Sequence, residues 1–181
     1  MKKIFSPIYI ICLFFLFSCG TTKTVAVQKS VTEPEELPFS ANDDEYLRSV
    51  NDIEVTKETF TEDKTEIMHI ISNLADIMSN HDYDSWVKYI DDESVKYWSN
   101  PQNLKKASKM LPVQGLRMNN LNDYFTYVFI PSRQGREVDE IRYISKDSVK
   151  AVQVRSETDI IYYYFTKIND TWLVHIPPLA S

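Results

Sequence analysis

The hydrophobic period of the chain changes once, and that change limits the folds open to it. Before about residue 131 apolar residues recur at helical spacing, and Ile67, Ile70, Ile71, Leu74, Ile77 and Met78 form one apolar stripe. In the last third they alternate. Residues 138–144, 148–155, 159–167 and 171–176 read as β-strands, with Tyr162, Tyr163, Tyr164 and Phe165 as strand-type residues. Asn169-Asp170, set between Lys167 and Trp172, reads as a tight hairpin turn. Helices followed by an antiparallel meander predict an α+β domain, with N-terminal helices packed on a curved antiparallel sheet.

The helical part carries its own punctuation. Thr59-Phe60-Thr61-Glu62 has the capping-box pattern and is expected to start the first helix. Ser79-Asn80-His81 breaks it, and Asp82 is expected to cap a second helix that turns Trp86, Tyr89 and Ile90 inward. Asp91-Asp92-Glu93 is expected to end that helix, and residues 95–98 to form a short strand or turn. Asn100-Pro101 is a helix start, because Asn caps and Pro at the first position lacks only an amide with no partner anyway. Leu104, Ala107, Met110 and Leu111 are expected on its face, with Pro112 as the stop. Leu121, Phe125, Val128 and Phe129 predict a further helix or extended segment ended by Pro131.

Ahead of the domain, Met1-Lys2-Lys3 is followed by an almost unbroken apolar run over residues 4–17. Fourteen residues are too few for a comfortable membrane span and suit a signal-peptide core. Leu16-Phe17-Ser18-Cys19 then resembles the bacterial lipobox. The resemblance implies a signal peptide over residues 1–18, cleavage before Cys19, and lipidation (palmitate among the acyl groups) of that cysteine. It also implies a lipoprotein of the bacterial cell envelope, held on a membrane by its lipid and facing the periplasm or exterior. Loss of Lys2 and Lys3 would leave 18 basic against 26 acidic residues. So acidic a chain is repelled by anionic headgroups, which leaves the anchoring to the lipid. The other cysteine, Cys12, falls within the signal segment, so the mature domain is expected to carry no disulfide and no thiol chemistry. Residues 19–58, with 10 acidic residues against 4 basic up to Glu62, read as an acidic flexible tether with order near residues 46–55.

The first stripe, then Asp82-Tyr83-Asp84-Ser85-Trp86, then Tyr89-Ile90-Asp91-Asp92, Val95 and Trp98, and the final Thr171-Trp172-Leu173-Val174-His175-Ile176, carry a resemblance. Over residues 59–181 the chain resembles the NTF2-like superfamily, which includes the SnoaL-like and ketosteroid-isomerase-like cone folds. A cystatin-like α+β fold is the nearest structural rival. The resemblance implies a cone above the sheet, where family enzymes keep an acid or a His–Asp pair.

Composition excludes several chemistries. With a net charge of −6, the chain lacks the basic excess of a general nucleic-acid binder, so no nucleic acid is expected as a partner. Three Gly in all argue against a phosphate loop, and no metal-ligand or nucleophile motif appears, so no metal and no cofactor are expected. Of the polar candidates, Asp82 reads as a helix cap, Asp84 as a first-turn carboxylate, His81 as a solvated turn residue, and His69 as lying beside the apolar stripe rather than in it. His175 alternates with Val174 and Ile176, so it faces away from them, into the cone or into solvent. The aromatics are the stronger lead. Trp86, Tyr89, Trp98, Tyr124, Phe125, Tyr162 and Tyr164, together with His175, form the candidate pocket for a small apolar ligand. Packing in a plain core is the competing account. Lys105-Lys106-Lys109 and Arg133 with Arg136 read as solvated faces, or as a modest patch for an anionic partner. The expected role is non-catalytic, as a ligand-binding or envelope-interaction module, with an envelope protein or a second copy docked through the sheet as further partners. The alternative is an isomerase, dehydratase or hydrolase acting on a small apolar substrate in the cone.

Overall fold

The structure is a computed structural model that describes residues 41–113 and 115–180. Helix α1 (Ala41–Val50) comes first, then α2 (Lys57–Ser79), α3 (Tyr83–Trp86) and α4 (Asp92–Trp98). They are followed by α5 (Pro101–Met110), α6 (Leu121–Tyr124) and α7 (Ile130–Arg133). Strands β1 (Glu140–Ser145), β2 (Ser148–Gln153), β3 (Ile160–Ile168) and β4 (Thr171–His175) come after them. The sheet order is β1-β2-β3-β4 and these four strands pair antiparallel throughout. The fold is therefore α+β, with helices on an open curved sheet, compatible with the cone-like architecture that the resemblance implies.

Two features shape the sheet. Asn169 and Asp170 both take positive φ, 49° and 59°, which gives the primed turn whose twist matches that of the flanking strands. In the β2–β3 ladder, Ala151 pairs with Tyr163 and Val152 with Ile161, so Tyr162 is an extra residue on β3. Such a bulge bends its strand and frees backbone groups from the ladder. Here Arg133 Nε donates to the Tyr162 carbonyl at 3.0 Å. The guanidinium also lies 4.1 Å from the Phe129 ring centroid.

Local capping sets most helix bounds. Thr56, in extended conformation, caps α2 by accepting from Thr59 N at 3.1 Å. The helix thus starts ahead of the expected capping box, whose Thr59 hydroxyl instead pairs with Thr56 Oγ1. The stripe of α2 buries Phe60, Asp63, Ile67, Ile70, Leu74 and Met78. Asp82 caps α3, as its sequence context predicts, accepting from Ser85 N at 3.0 Å. The hydrogen bonds from Ser85 hold the Asp82 carboxyl below the ordinary value.

Four local expectations are corrected. Asp91-Asp92-Glu93 opens a helix instead of ending one. Asp91 is extended and accepts from Ser94 N at 2.8 Å, while Asp92 and Glu93 meet the positive end of α4. Residues 95–98 are accordingly helical. Met110 on α5 is 70% exposed, so the buried face of that helix is Leu104 and Ala107. Pro131 does not end its helix. It sits inside α7, just after a π-helical turn, Phe125–Phe129, that links α6 to α7. In a regular helix its ring would clash with the Tyr127 carbonyl, and the wider turn, with Ile130 N bonded to Phe125 O, relieves that clash.

The folded unit begins ahead of the expected boundary at residue 59. α1 packs along the edge strand β1, where Arg48 pairs with Glu140 at 2.8 Å. Glu45 pairs with Lys64 of α2 at 2.6 Å, and the Tyr46 ring meets Phe60 edge-on at 5.6 Å. Val50 is part of the core. The folded unit thus includes α1. The expected signal peptide over residues 1–18, Cys19 and the rest of the expected tether, up to residue 40, lie outside the described residues.

Candidate functional site

Large aromatic rings pack on one another between the helices and the sheet. Trp86 stacks on Phe125 at 4.8 Å and meets Phe129 edge-on at 5.1 Å, and all three are fully buried. The rings of Trp98 and Tyr124 lie 4.3 Å apart, both buried. Burial raises the Tyr124 hydroxyl above its ordinary value, and pushes that of neighbouring Tyr163 up to about 12. Trp86, Trp98, Tyr124 and Phe125 are therefore buried in the core. Large rings brought together in a small helix–sheet space pack on one another until little room is left. The other expected pocket residues lie elsewhere. Tyr164 alternates with buried Tyr163 and Phe165, which puts it on the opposite face of the sheet. Tyr162 sits at the bulge with its hydroxyl 3.4 Å from Gln153 Oε1. Tyr89 lines a cleft with Asn73 and Lys88, and Asn73 Nδ2 donates to its hydroxyl at 3.3 Å.

His175 has the most structured surroundings. Ile90 forms a parallel bridge with Val174, and Asp91 N donates to Val174 O at 3.1 Å, so this short segment extends the sheet beside β4. That pairing places the Asp91 carboxylate beside His175. Asp91 is 1% exposed. Its Oδ2 accepts from His175 Nδ1 at 3.0 Å and from Ser94 Oγ at 2.8 Å. Ser94 Oγ in turn accepts from Ile176 N at 2.7 Å, and Trp98 Nε1 donates to Ile176 O at 3.2 Å. His175 keeps 30% of its side chain exposed and lines a cleft of about 440 Å³ with Asp92, Glu93, Ser148 and Thr166.

The chemistry of this cluster is limited. A carboxylate only accepts, so Nδ1 carries the proton and Nε2 is the ring atom left for anything entering the cleft. The trio is not a nucleophilic relay. A nucleophilic serine must meet the His nitrogen opposite the one held by the acid. Ser94 meets Nδ1 itself, at 3.4 Å, and is spent on Asp91 and Ile176. The cluster ties the start of α4 to β4 and orients one imidazole.

A second buried acid had no role assigned from sequence. Asp63, on the stripe of α2, accepts from Tyr143 Oη at 2.6 Å, Lys167 Nζ at 2.9 Å and Trp172 Nε1 at 3.0 Å. One carboxylate thus pins the long helix to β1, β3 and β4. Burial, and then the bond to Asp63, pushes the Tyr143 hydroxyl far up, and the Asp63 bond also raises Lys167. Both groups keep their protons to higher pH in the folded chain than in the unfolded one. Unfolded Tyr and Lys release theirs at about pH 10 and about 10.4, so this stability is complete below pH ~10 and falls as pH rises further. The urea midpoint should hold steady from neutrality to about pH 9.5 and then fall, less steeply in Tyr143→Phe. Identical alkaline slopes for the two proteins would contradict this account.

Among the described residues no group of three or more His, Cys, Asp and Glu is placed to hold a metal ion. No described helix is long and apolar enough to cross a membrane.

No protein-family model matches the chain, and no solved structure matches it. It is similar to a protein of Treponema pallidum (strain Nichols) named "Uncharacterized lipoprotein". The two are 31% identical over 120 residues, which is 66% of this chain and 64% of that protein. The chain thus spans less than two thirds of its relative's length.

Proposed function

We propose that the protein is a lipid-anchored component of the bacterial cell envelope, whose folded domain binds a ligand or partner without catalysing a reaction on it. The observation that carries the non-catalytic reading is the mutual packing of the buried rings of Trp86, Phe125 and Phe129. A cone-fold enzyme needs an open cavity with a carboxylate or imidazole inside it. Here the imidazole of His175, oriented by Asp91, opens on a small cleft at the start of α4, rimmed by Asp92 and Glu93. For the anchor, support comes from Leu16-Phe17-Ser18-Cys19 after the apolar run, and from the name carried by the relative. An NTF2-like domain on a Cys19 tether fits both.

Cys19 is the residue to test. Cells fed a labelled fatty acid should incorporate label into the natural chain and none into Cys19→Ala. Label retained by Cys19→Ala would remove the lipobox reading. The binding reading is tested separately, by native mass spectrometry of the unacylated mature chain purified from cells. A copurifying small molecule or envelope protein supports it, and turnover of a copurified substrate would replace it with the enzyme reading.

A further inference from the structure

Two clefts meet at Leu116, and neither shares a residue with the His175 cleft. The first, about 610 Å³, is lined by Lys105 and Lys109 of α5 and by Arg117 of the following loop. Lys105 and Lys109 are four residues apart and share one face of the helix. Among the described residues no carboxylate lines this cleft. Among the described residues none of the three cations has an ion-pair partner. Asp123, close in sequence, is committed to Asn119 N at 2.7 Å. In a chain of net charge −6, three cations turned on one concavity make a local positive field that suits an anion.

The second cleft is about 550 Å³ and nearly all apolar, with Leu111, Val113, Leu116, Tyr127 and Pro131 in its wall. Val113 is 59% and Tyr127 45% exposed, so this apolar surface is left open to water. The loop between the clefts is built in. Gly115 takes φ +82° at its turn, and Met118, buried, donates its amide to Ser108 Oγ on α5 at 2.9 Å.

We propose that the joined clefts bind one molecule of an anionic amphiphile. Its phosphate or carboxylate head lies against Lys105, Lys109 and Arg117, and its alkyl or aromatic part crosses Leu116 onto Tyr127 and Pro131. Concavities of this size enclose a single molecule, whereas a bilayer face would call for a convex apolar surface. This deepens the reading of the domain as a binding module and is independent of Cys19 acylation.

The test uses the unacylated mature chain, made without its signal segment, and titrates dodecyl phosphate below its micelle threshold by calorimetry. Inorganic phosphate and zwitterionic dodecylphosphocholine are the comparison probes. Dodecyl phosphate is expected to bind one to one, with both comparison probes weaker by about tenfold or more. Lys105→Gln with Arg117→Gln, and separately Tyr127→Ser, should each weaken it by about tenfold, with thermal midpoints unchanged because all three residues are exposed. Equal affinity for the zwitterion, or for bare phosphate, would overturn the proposal by removing the role of the charges or of the groove. So would variants that bind as the natural chain does. Binding to phosphatidylglycerol vesicles with none to monomeric dodecyl phosphate would assign the patch to a membrane surface instead.

Discussion

Asp63→Ala is expected to destabilise the fold by about 3–5 kcal/mol, the range for removing one partner of a buried charged cluster. The cost comes from what is left behind. Trp172 Nε1 and Tyr143 Oη are buried and would lose their acceptor, at about 1–3 kcal/mol for each orphaned group. Lys167 keeps about a quarter of its side chain exposed, so it can turn back to water and adds little. Asp63→Asn should cost less than Asp63→Ala, because its carbonyl oxygen still accepts while its amide can meet the Tyr143 oxygen. Urea titration measures both. A loss under about 1 kcal/mol for Asp63→Ala would show that packing alone holds α2 to the sheet.

The features legible in the sequence were those set by neighbours in the chain. All four strands follow from two-residue alternation, and the β3–β4 turn from Asn169-Asp170, because strand period and turn chemistry act over a few residues. The caps at Asp82 and Asn100 are equally local. Asp91 shows the limit of such reading. An acidic triplet marks a helix start only if the chain before it is extended, and what extends it is the Ile90–Val174 bridge, made by a strand 84 residues away. α4, only 7 residues long, has no stripe to declare it.

Asp63 was hidden for a related reason. It falls on the α2 stripe, three residues after Phe60 and four before Ile67, and an acid on a stripe reads as an interruption. Its partners lie 80, 104 and 109 residues further on, and nothing local joins them. The same holds for α1, which is mostly polar and owes its place to Lys64, Phe60 and Glu140. The aromatic cluster was legible as composition, but whether it lines a cavity or fills one depends on how the rings meet in space. His175 was legible as facing away from Val174 and Ile176. Its orienting partner Asp91 was not.

The two fully buried tryptophans should behave alike when deleted and differently when trimmed. Trp86→Ala and Trp172→Ala are each expected to cost about 3–5 kcal/mol, the usual loss for a large aromatic removed from a core. Trimming to Phe keeps a ring and separates packing from hydrogen bonding. Trp86 Nε1 is buried with no hydrogen-bond partner among the described residues, so Trp86→Phe gives up contacts with Phe125 and Phe129 but no bond. Trp172 Nε1 donates to the Asp63 carboxylate, and a hydrogen bond to a charged group contributes about 1.5–3 kcal/mol. Trp172→Phe should therefore be the costlier of the two by about 1–2 kcal/mol. The difference should shrink when both are measured in an Asp63→Asn background, where the acceptor is neutral. Equal losses for the two Phe variants, or a larger one at Trp86, would mean that the Trp172–Asp63 bond contributes little and that shape alone ranks the core positions.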